Sequence, residues 1–365
     1  MTFEVDVREI KKAISLISPI VNLNSAQLPL RYIKICKNDN RIEIKGYNDN
    51  IFASSFIGTA NIEESKDGDY CYVYAKMFFD LIKSFNGVVK ITLNEDSFVI
   101  KNSRSKYKIN VLDRKTFEDS VQDIEGYYEV KHSNIVNLSE LKNKMQSVIH
   151  CLSNNDFEPE LKHLCFKDDL IVACDGVRGA VIEYDSKNIG ECLIHKNIYQ
   201  CIMNIEDSNE IRFIVYNDIL FGKTNNFMFA SSLSKLKYPF DDVKNIFENY
   251  KKDKFNININ LNQEMFLESL SRILYLTDKD TNSVKIIFGD RVVSMEVNGN
   301  NIGEESIYIE PTGIKDSISL FVDAKNLREA INYSVGEVRW MTNNSEDIQY
   351  IVDANVVQFF FGLEE

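Results

Sequence analysis

Proline is scarce in this chain, at 5 of 365 residues, and tryptophan occurs once. No stretch is low in complexity, so long disordered linkers are not expected. Nowhere do about 18 uncharged apolar residues run together, which argues against a membrane-spanning helix. The alternation of charge and apolarity over residues 1–10 argues against a secretory signal. A soluble, cytoplasmic protein with no membrane partner is therefore expected. Cys-x-x-Cys pairs are lacking, and the four histidines (His132, His150, His163, His195) show no ligand spacing. The seven cysteines (Cys36, Cys71, Cys151, Cys165, Cys174, Cys192, Cys201) are then expected as reduced, mostly buried thiols. No metal or other cofactor is expected.

Catalytic signatures are also missing. The chain has no Gly-x-Ser-x-Gly elbow and no phosphate-cradling loop, and the carboxylate of Asp175-Gly176 has no histidine near it in sequence. An enzyme is not expected. An excess of positive charge is lacking too, with 42 Lys and Arg against 55 Asp and Glu, a net charge of -13. That balance excludes a protein that coats nucleic acid with its whole surface, because such binding rests on phosphate neutralisation. It leaves open a molecule that is acidic outside and basic where DNA passes.

What is present is a substantial apolar fraction, 44%, in a chain long enough for two or three domains. A short alternating strand runs into an amphipathic helix near residues 3–20, 136–152 and 257–276. In the second copy Leu141, Met145, Val148, Ile149 and Leu152 fall on one face, Asn137 or Ser139 can cap the start, and Lys142 and Lys144 point elsewhere. Each copy is followed by strand pairs and a second, shorter helix, at 75–85, 196–205 and 324–333. Equivalent helices lie about 120 to 130 residues apart, an ordinary domain length. Alternating strands follow, such as 89–93, 98–101 and 107–111, with turn chemistry at Asn86-Gly87 and Asn102-Ser103. The expected fold class is α+β, two helices on antiparallel sheets used three times, with links near Gly126 and Tyr250. The lysine-rich residues 251–254 read as a solvated linker.

Three segments carry a family resemblance. The first is Ala75-Lys76-Met77-Phe78-Phe79-Asp80-Leu81-Ile82, continuing to Asn102-Ser103-Arg104-Ser105-Lys106-Tyr107 and Phe117, where Glu118 stands in place of a family proline. The second is Val172-Ala173-Cys174-Asp175-Gly176-Val177-Arg178-Gly179-Ala180, and the third comprises Tyr238-Pro239 with the last strand. In this order and spacing they resemble the beta sliding clamp of bacterial DNA polymerase III. The resemblance implies three clamp domains, 1–125, 126–250 and 251–365, closing as a homodimeric ring. It implies a processivity factor that encircles duplex DNA without reading sequence and tethers polymerase and clamp-loader subunits.

The same resemblance assigns roles. Six helices would line the hole with Arg8, Lys11, Lys12, Lys76, Lys83, Lys142, Lys144, Lys196, Arg272, Lys325 and Arg328, among which lie Glu9, Asp80, Glu140, Glu264, Glu268 and Glu329. A loop arginine of the family is replaced by Ser25. A partner-peptide cleft would comprise Leu161, Cys174, Gly176, Val177, Arg178, Pro239, Phe359, Phe361, Gly362 and Leu363, edged by Val322 and Lys325. Phe359, Phe361 and Leu363 alternate and so share one face, followed by Glu364 and Glu365, which would favour basic peptides. Val177, Gly179 and the Phe-Gly-Leu-Glu-Glu end depart from the family pattern. Ring closure would pair Lys101, Arg104, Lys106 and Tyr107 with Tyr275, Leu276, Glu304 and Glu305. The alternative reading is a clamp-fold paralogue, of phage or mobile-element type, that sequesters replication partners without loading on DNA.

Overall fold

The computed structural model describes residues 1–365 except 39–40, 49, 59–60, 65–69, 95–96, 115–133, 156, 186–188, 234–236, 280, 344–346 and 364–365. Its contacts divide the chain into two compact units, one of 1–142 with 188–234 and one of 143–187 with 235–365. No helix among the described residues is long and apolar enough to cross a membrane.

The helices start where polar side chains can meet the first free amides. In α1 (Val7–Ile17) the Asp6 carboxylate accepts from the Arg8 amide, and Val7, Ile10, Ala13, Ile14 and Ile17 bury one face. Helix α2 (Ala75–Ser84) buries Ala75, Phe78, Phe79 and Ile82. In α3 (Leu138–Val148) Asn137 is the cap, its Oδ1 accepting from the Glu140 amide at 3.0 Å. Leu141, Met145 and Val148 are fully buried, as the spacing implies. Helix α4 (Lys196–Met203) buries Ile198, Cys201 and Ile202.

The first unit is built on one antiparallel sheet of 13 strands. From one edge the order is Asn134–Asn137, Glu210–Tyr216, Ile219–Lys223, Phe227–Ser232, Ile51–Ile57, Arg41–Asn48 and Tyr32–Asn38. It continues through Tyr70–Tyr74, Lys106–Leu112, Ser97–Lys101, Val88–Leu93, Thr2–Asp6 and Asn61–Glu64. Alternation puts Ile42 and Ile44 in the core. The opposite face of that strand also buries charge: Lys45 lies 3.5 Å from Glu43, which accepts from the Ser54 hydroxyl.

In the second unit the strands His163–Lys167, Leu170–Cys174, Arg178–Glu183, Val356–Phe361, Ile348–Val352, Val338–Thr342 and Ile257–Leu261 follow one another in one sheet. A four-stranded sheet has the order Ile302–Tyr308, Val292–Asn298, Ser283–Phe288 and Ile318–Asp323. Helices α6 (Gln263–Ile273) and α7 (Ala324–Tyr333), capped by Asn262 and Asp323, close the core with Phe266, Leu270, Leu327 and Ile331. Trp340 packs edge-on against Phe288 at 5.0 Å.

One expectation needs correction. The link placed near Tyr250 and the solvated linker at 251–254 are in part helix: α5 (Phe240–Lys252) runs through Tyr250 and ends on Lys251 and Lys252. Phe240, Val243 and Phe247 are its buried stripe, and packing of that face makes the segment helical, while residues 251–254 are exposed as expected. The other expected link, near Gly126, lies outside the described residues, as do Phe117 and Glu118. All seven cysteines are buried.

Candidate functional site

The cations assigned to the helices are largely engaged within their own unit. Arg8 grips Asp6 at 2.6 Å, and its hydrogen bonds hold that carboxyl at about 2. Lys12 lies 3.7 Å from Glu9 and 3.6 Å from Asp207, and Lys83 lies 3.7 Å from Asp80. Arg272 meets Glu305 at 2.7 Å and Glu268 at 3.6 Å. Lys11 donates to the Phe85 carbonyl at 3.0 Å and Lys144 to the Glu183 carbonyl at 3.2 Å. Lys142 donates to the Ile205 carbonyl, and burial pushes its ammonium pKa down. Lys76 and Lys325 are exposed, while Lys196 and Arg328 are half-buried. Surface pairs of this kind add little stability.

The residues assigned to the cleft come together in the second unit. The turn after Leu170–Cys174 is fixed by Asp175, whose Oδ1 accepts from the amides of Val177 at 3.1 Å and Arg178 at 2.9 Å. Gly176 takes φ +90° in that turn, a conformation other residues rarely adopt. Across the next strand pair Gly179 opposes Phe359, whose ring crosses it so closely that a Cβ on Gly179 would sit 2.4 Å from Cζ. Phe359 is therefore a buried floor, 3% exposed. Leu161, Cys174 and Val322 are also buried.

The lip differs. Val177 is 54% exposed and Phe361 44%, and the Phe361 amide donates to the Val177 carbonyl at 3.3 Å. Leu363 is half-buried and its amide bonds the Phe321 carbonyl at 3.0 Å; Pro239 and Gly362 are half-buried, and Gly176 is exposed. Glu364 and Glu365 lie outside the described residues. Arg178 spends its guanidinium inward: Nε on Asp175 at 2.9 Å, Nη1 on Glu329 of α7, Nη2 on the His150 carbonyl at 3.0 Å. The His150 ring stacks on Tyr333 at 4.3 Å. Burial first, and the Arg178 charge second, hold its imidazole down at about 4. Glu329 and His150 are neighbours of Arg178 that sequence reasoning did not bring to it. Only Asp175, three residues from Arg178, was available as a local signal, since Glu329 is 151 residues away.

Of the residues assigned to ring closure, Lys106 and Tyr107 lie on the strand Lys106–Leu112 and Glu304 and Glu305 on the edge strand Ile302–Tyr308, while Lys101 is on an interior strand, Arg104 in the loop that follows it, and Tyr275 and Leu276 just past α6. Lys106–Leu112 pairs along its length with Ser97–Lys101 but meets Tyr70–Tyr74 only at Val111 and Leu112. Lys101 and Lys106 face each other directly across the pair. Arg104 is exposed, and Tyr107, 44% exposed, stands edge-on to Phe85 at 5.6 Å. In the second unit Ile302–Tyr308 pairs only with Val292–Asn298 among the described residues, and Glu304 faces Glu296. Tyr275, Ile302 and Tyr308 are 87%, 80% and 79% exposed. Leu276 packs over Gly303, where a Cβ would lie 2.3 Å from its Cδ1. Glu305 is already committed to Arg272, whose hydrogen bond lowers its carboxyl pKa.

This architecture is found in solved structures. The chain matches DNA polymerase III beta from Thermotoga maritima with a TM-score of 0.84 at 16% identity, covering 100% of both chains. It matches the sliding clamp of Bacillus subtilis with a TM-score of 0.81 at 18% identity, over 100% of this chain and 99% of that one. The sliding clamp of Bartonella birtlesii, solved bound to griselimycin, matches with a TM-score of 0.84 at 14% identity and 100% coverage of each. The fold is thus that of a sliding clamp. Residues 1–121 match the family described as DNA polymerase III beta subunit, N-terminal domain. No curated protein matches by sequence.

Proposed function

We propose that the protein is a DNA sliding clamp, a processivity factor of DNA replication that encircles duplex DNA and holds polymerase and clamp-loader subunits through a peptide cleft. It would be a cytoplasmic homodimer of six domains, 1–125, 126–250 and 251–365 in each subunit, and would catalyse no reaction. The observation that carries this reading is the clamp fold over the full chain, end to end with proteins of that type. Retention would come from topology, because most of the assigned helix cations are already partnered.

Ring closure is supported by the chemistry of the two edges. Like charges directly opposite in a sheet are unfavourable alone. One edge carries Lys101 against Lys106 and the other Glu296 against Glu304, so each would be relieved by the other in a head-to-tail contact. The exposed Tyr275, Ile302 and Tyr308 would supply the apolar area. Sedimentation tests this: the wild type should run as a dimer at micromolar concentration and Tyr275→Asp as a folded monomer. A wild-type monomer would count against the ring.

A further inference from the structure

Taking the site around Val177 and Phe361 as the partner cleft proposed above, we infer that Arg178 is an internal latch and that the occupant is a peptide with an apolar anchor flanked by cationic side chains. The apolar half rests on Val177, in the turn before the strand Arg178–Glu183, and Phe361, at the end of the neighbouring strand, two exposed side chains joined by a backbone hydrogen bond. An exposed apolar pair over a buried aromatic floor suits one aliphatic or aromatic anchor.

The charged half rests on what Arg178 does. A lone guanidinium at such a lip would receive an acidic peptide, but here Nε, Nη1 and Nη2 are all spent within the protein. Its side chain is only 16% exposed, and it ties the turn at Asp175, the backbone at His150 and helix α7 into one block. Two carboxylates already face this one cation. Asp323, which caps α7 two residues from Lys325, is a third carboxylate beside this cation. Asp323 also directs its carboxylate at the Lys325 and Asn326 amides at 2.8 and 3.0 Å. Asp175, Glu329 and Asp323 thus stand against Arg178 and Lys325, and the excess is negative. Asp175, Arg178, Asp323 and Glu329 are half-buried, so their field on a bound peptide is screened less than that of a fully exposed pair.

The test uses fluorescence anisotropy with three labelled peptides that share a Leu-Phe anchor and differ only in lysine, serine or glutamate flanks. The lysine-flanked peptide should bind about ten-fold more tightly than the glutamate-flanked one at low ionic strength, with the gap closing to about two-fold near 0.5 M salt. Glu329→Gln releases one carboxylate from Arg178 and should cut that preference several-fold. Should that variant lose its fold by thermal melting, the wild-type salt series decides, and a preference that salt leaves unchanged overturns the inference. Equal affinities, or preference for glutamate, overturn it too; if Phe361→Ala still weakens all three peptides, the cleft reading survives. Failure of every peptide to bind sinks both.

Discussion

The helix cations and the cleft lip make opposite use of their side chains. On the helices, Arg8, Lys12, Lys83 and Arg272 are exposed yet paired with carboxylates of their own unit. At the lip the charged group is latched inward while Val177 and Phe361 are left facing solvent. The charged surface is therefore nearly self-sufficient, and the apolar surface is not. An exposed lysine needs no partner other than water, whereas adjacent exposed apolar side chains gain by being covered. Specific affinity should then lie at the cleft, and the helices should supply only weak, salt-sensitive attraction.

The comparison breaks most visibly at the cleft floor. Phe359→Ala removes a ring packed on Gly179 and should destabilise the fold by about 3–5 kcal/mol, read from urea unfolding. A loss below about 1 kcal/mol would mean that the floor is not packed as described.

The latch should show in the pH dependence of stability. His150 is held near 4 in the folded state against an ordinary 6.5, so the unfolded chain takes up the proton first as pH falls. Its contribution is fully present above 6.5 and is lost as pH drops from there to about 4, amounting to about 3 kcal/mol at most. His150→Phe, which can keep the stack on Tyr333, should flatten the stability curve across that window in urea titrations. An unchanged slope would remove His150 from the acid response.

The lip should behave oppositely to the floor two residues away on the same strand face. Phe361→Ala should alter stability by no more than about 0.5 kcal/mol, while weakening an anchored peptide about ten-fold by anisotropy. Loss of stability comparable to Phe359→Ala would make Phe361 a core residue and leave the cleft without its lip.

Local order was legible in the sequence where one periodicity applied throughout. The stripe Leu141, Met145, Val148 and the Asn137 cap of α3 follow from spacing alone, as do the starts of α2, α4 and α7. Helix α5 was obscured because its buried positions, Phe240, Val243 and Phe247, are embedded among charged residues and its end is lysine-rich. The cleft residues were assigned through a resemblance, but the state of Arg178 was not legible, because its partner Glu329 comes from a distant helix and contact across 151 residues leaves no trace in one sequence. Alternation also placed Phe359, Phe361 and Leu363 on one face without saying that Phe359 is buried and Phe361 exposed; Gly179 beneath the ring of Phe359 makes that difference.

Topological retention by a closed ring is most directly tested on nicked circular DNA with a clamp loader present. After gel filtration in moderate salt, labelled protein should stay with the intact circle and be released when the DNA is cut once, while binding to short linear duplex stays weak and falls steeply with salt. Equal retention on circular and linear DNA, or no retention on the circle, would contradict the account.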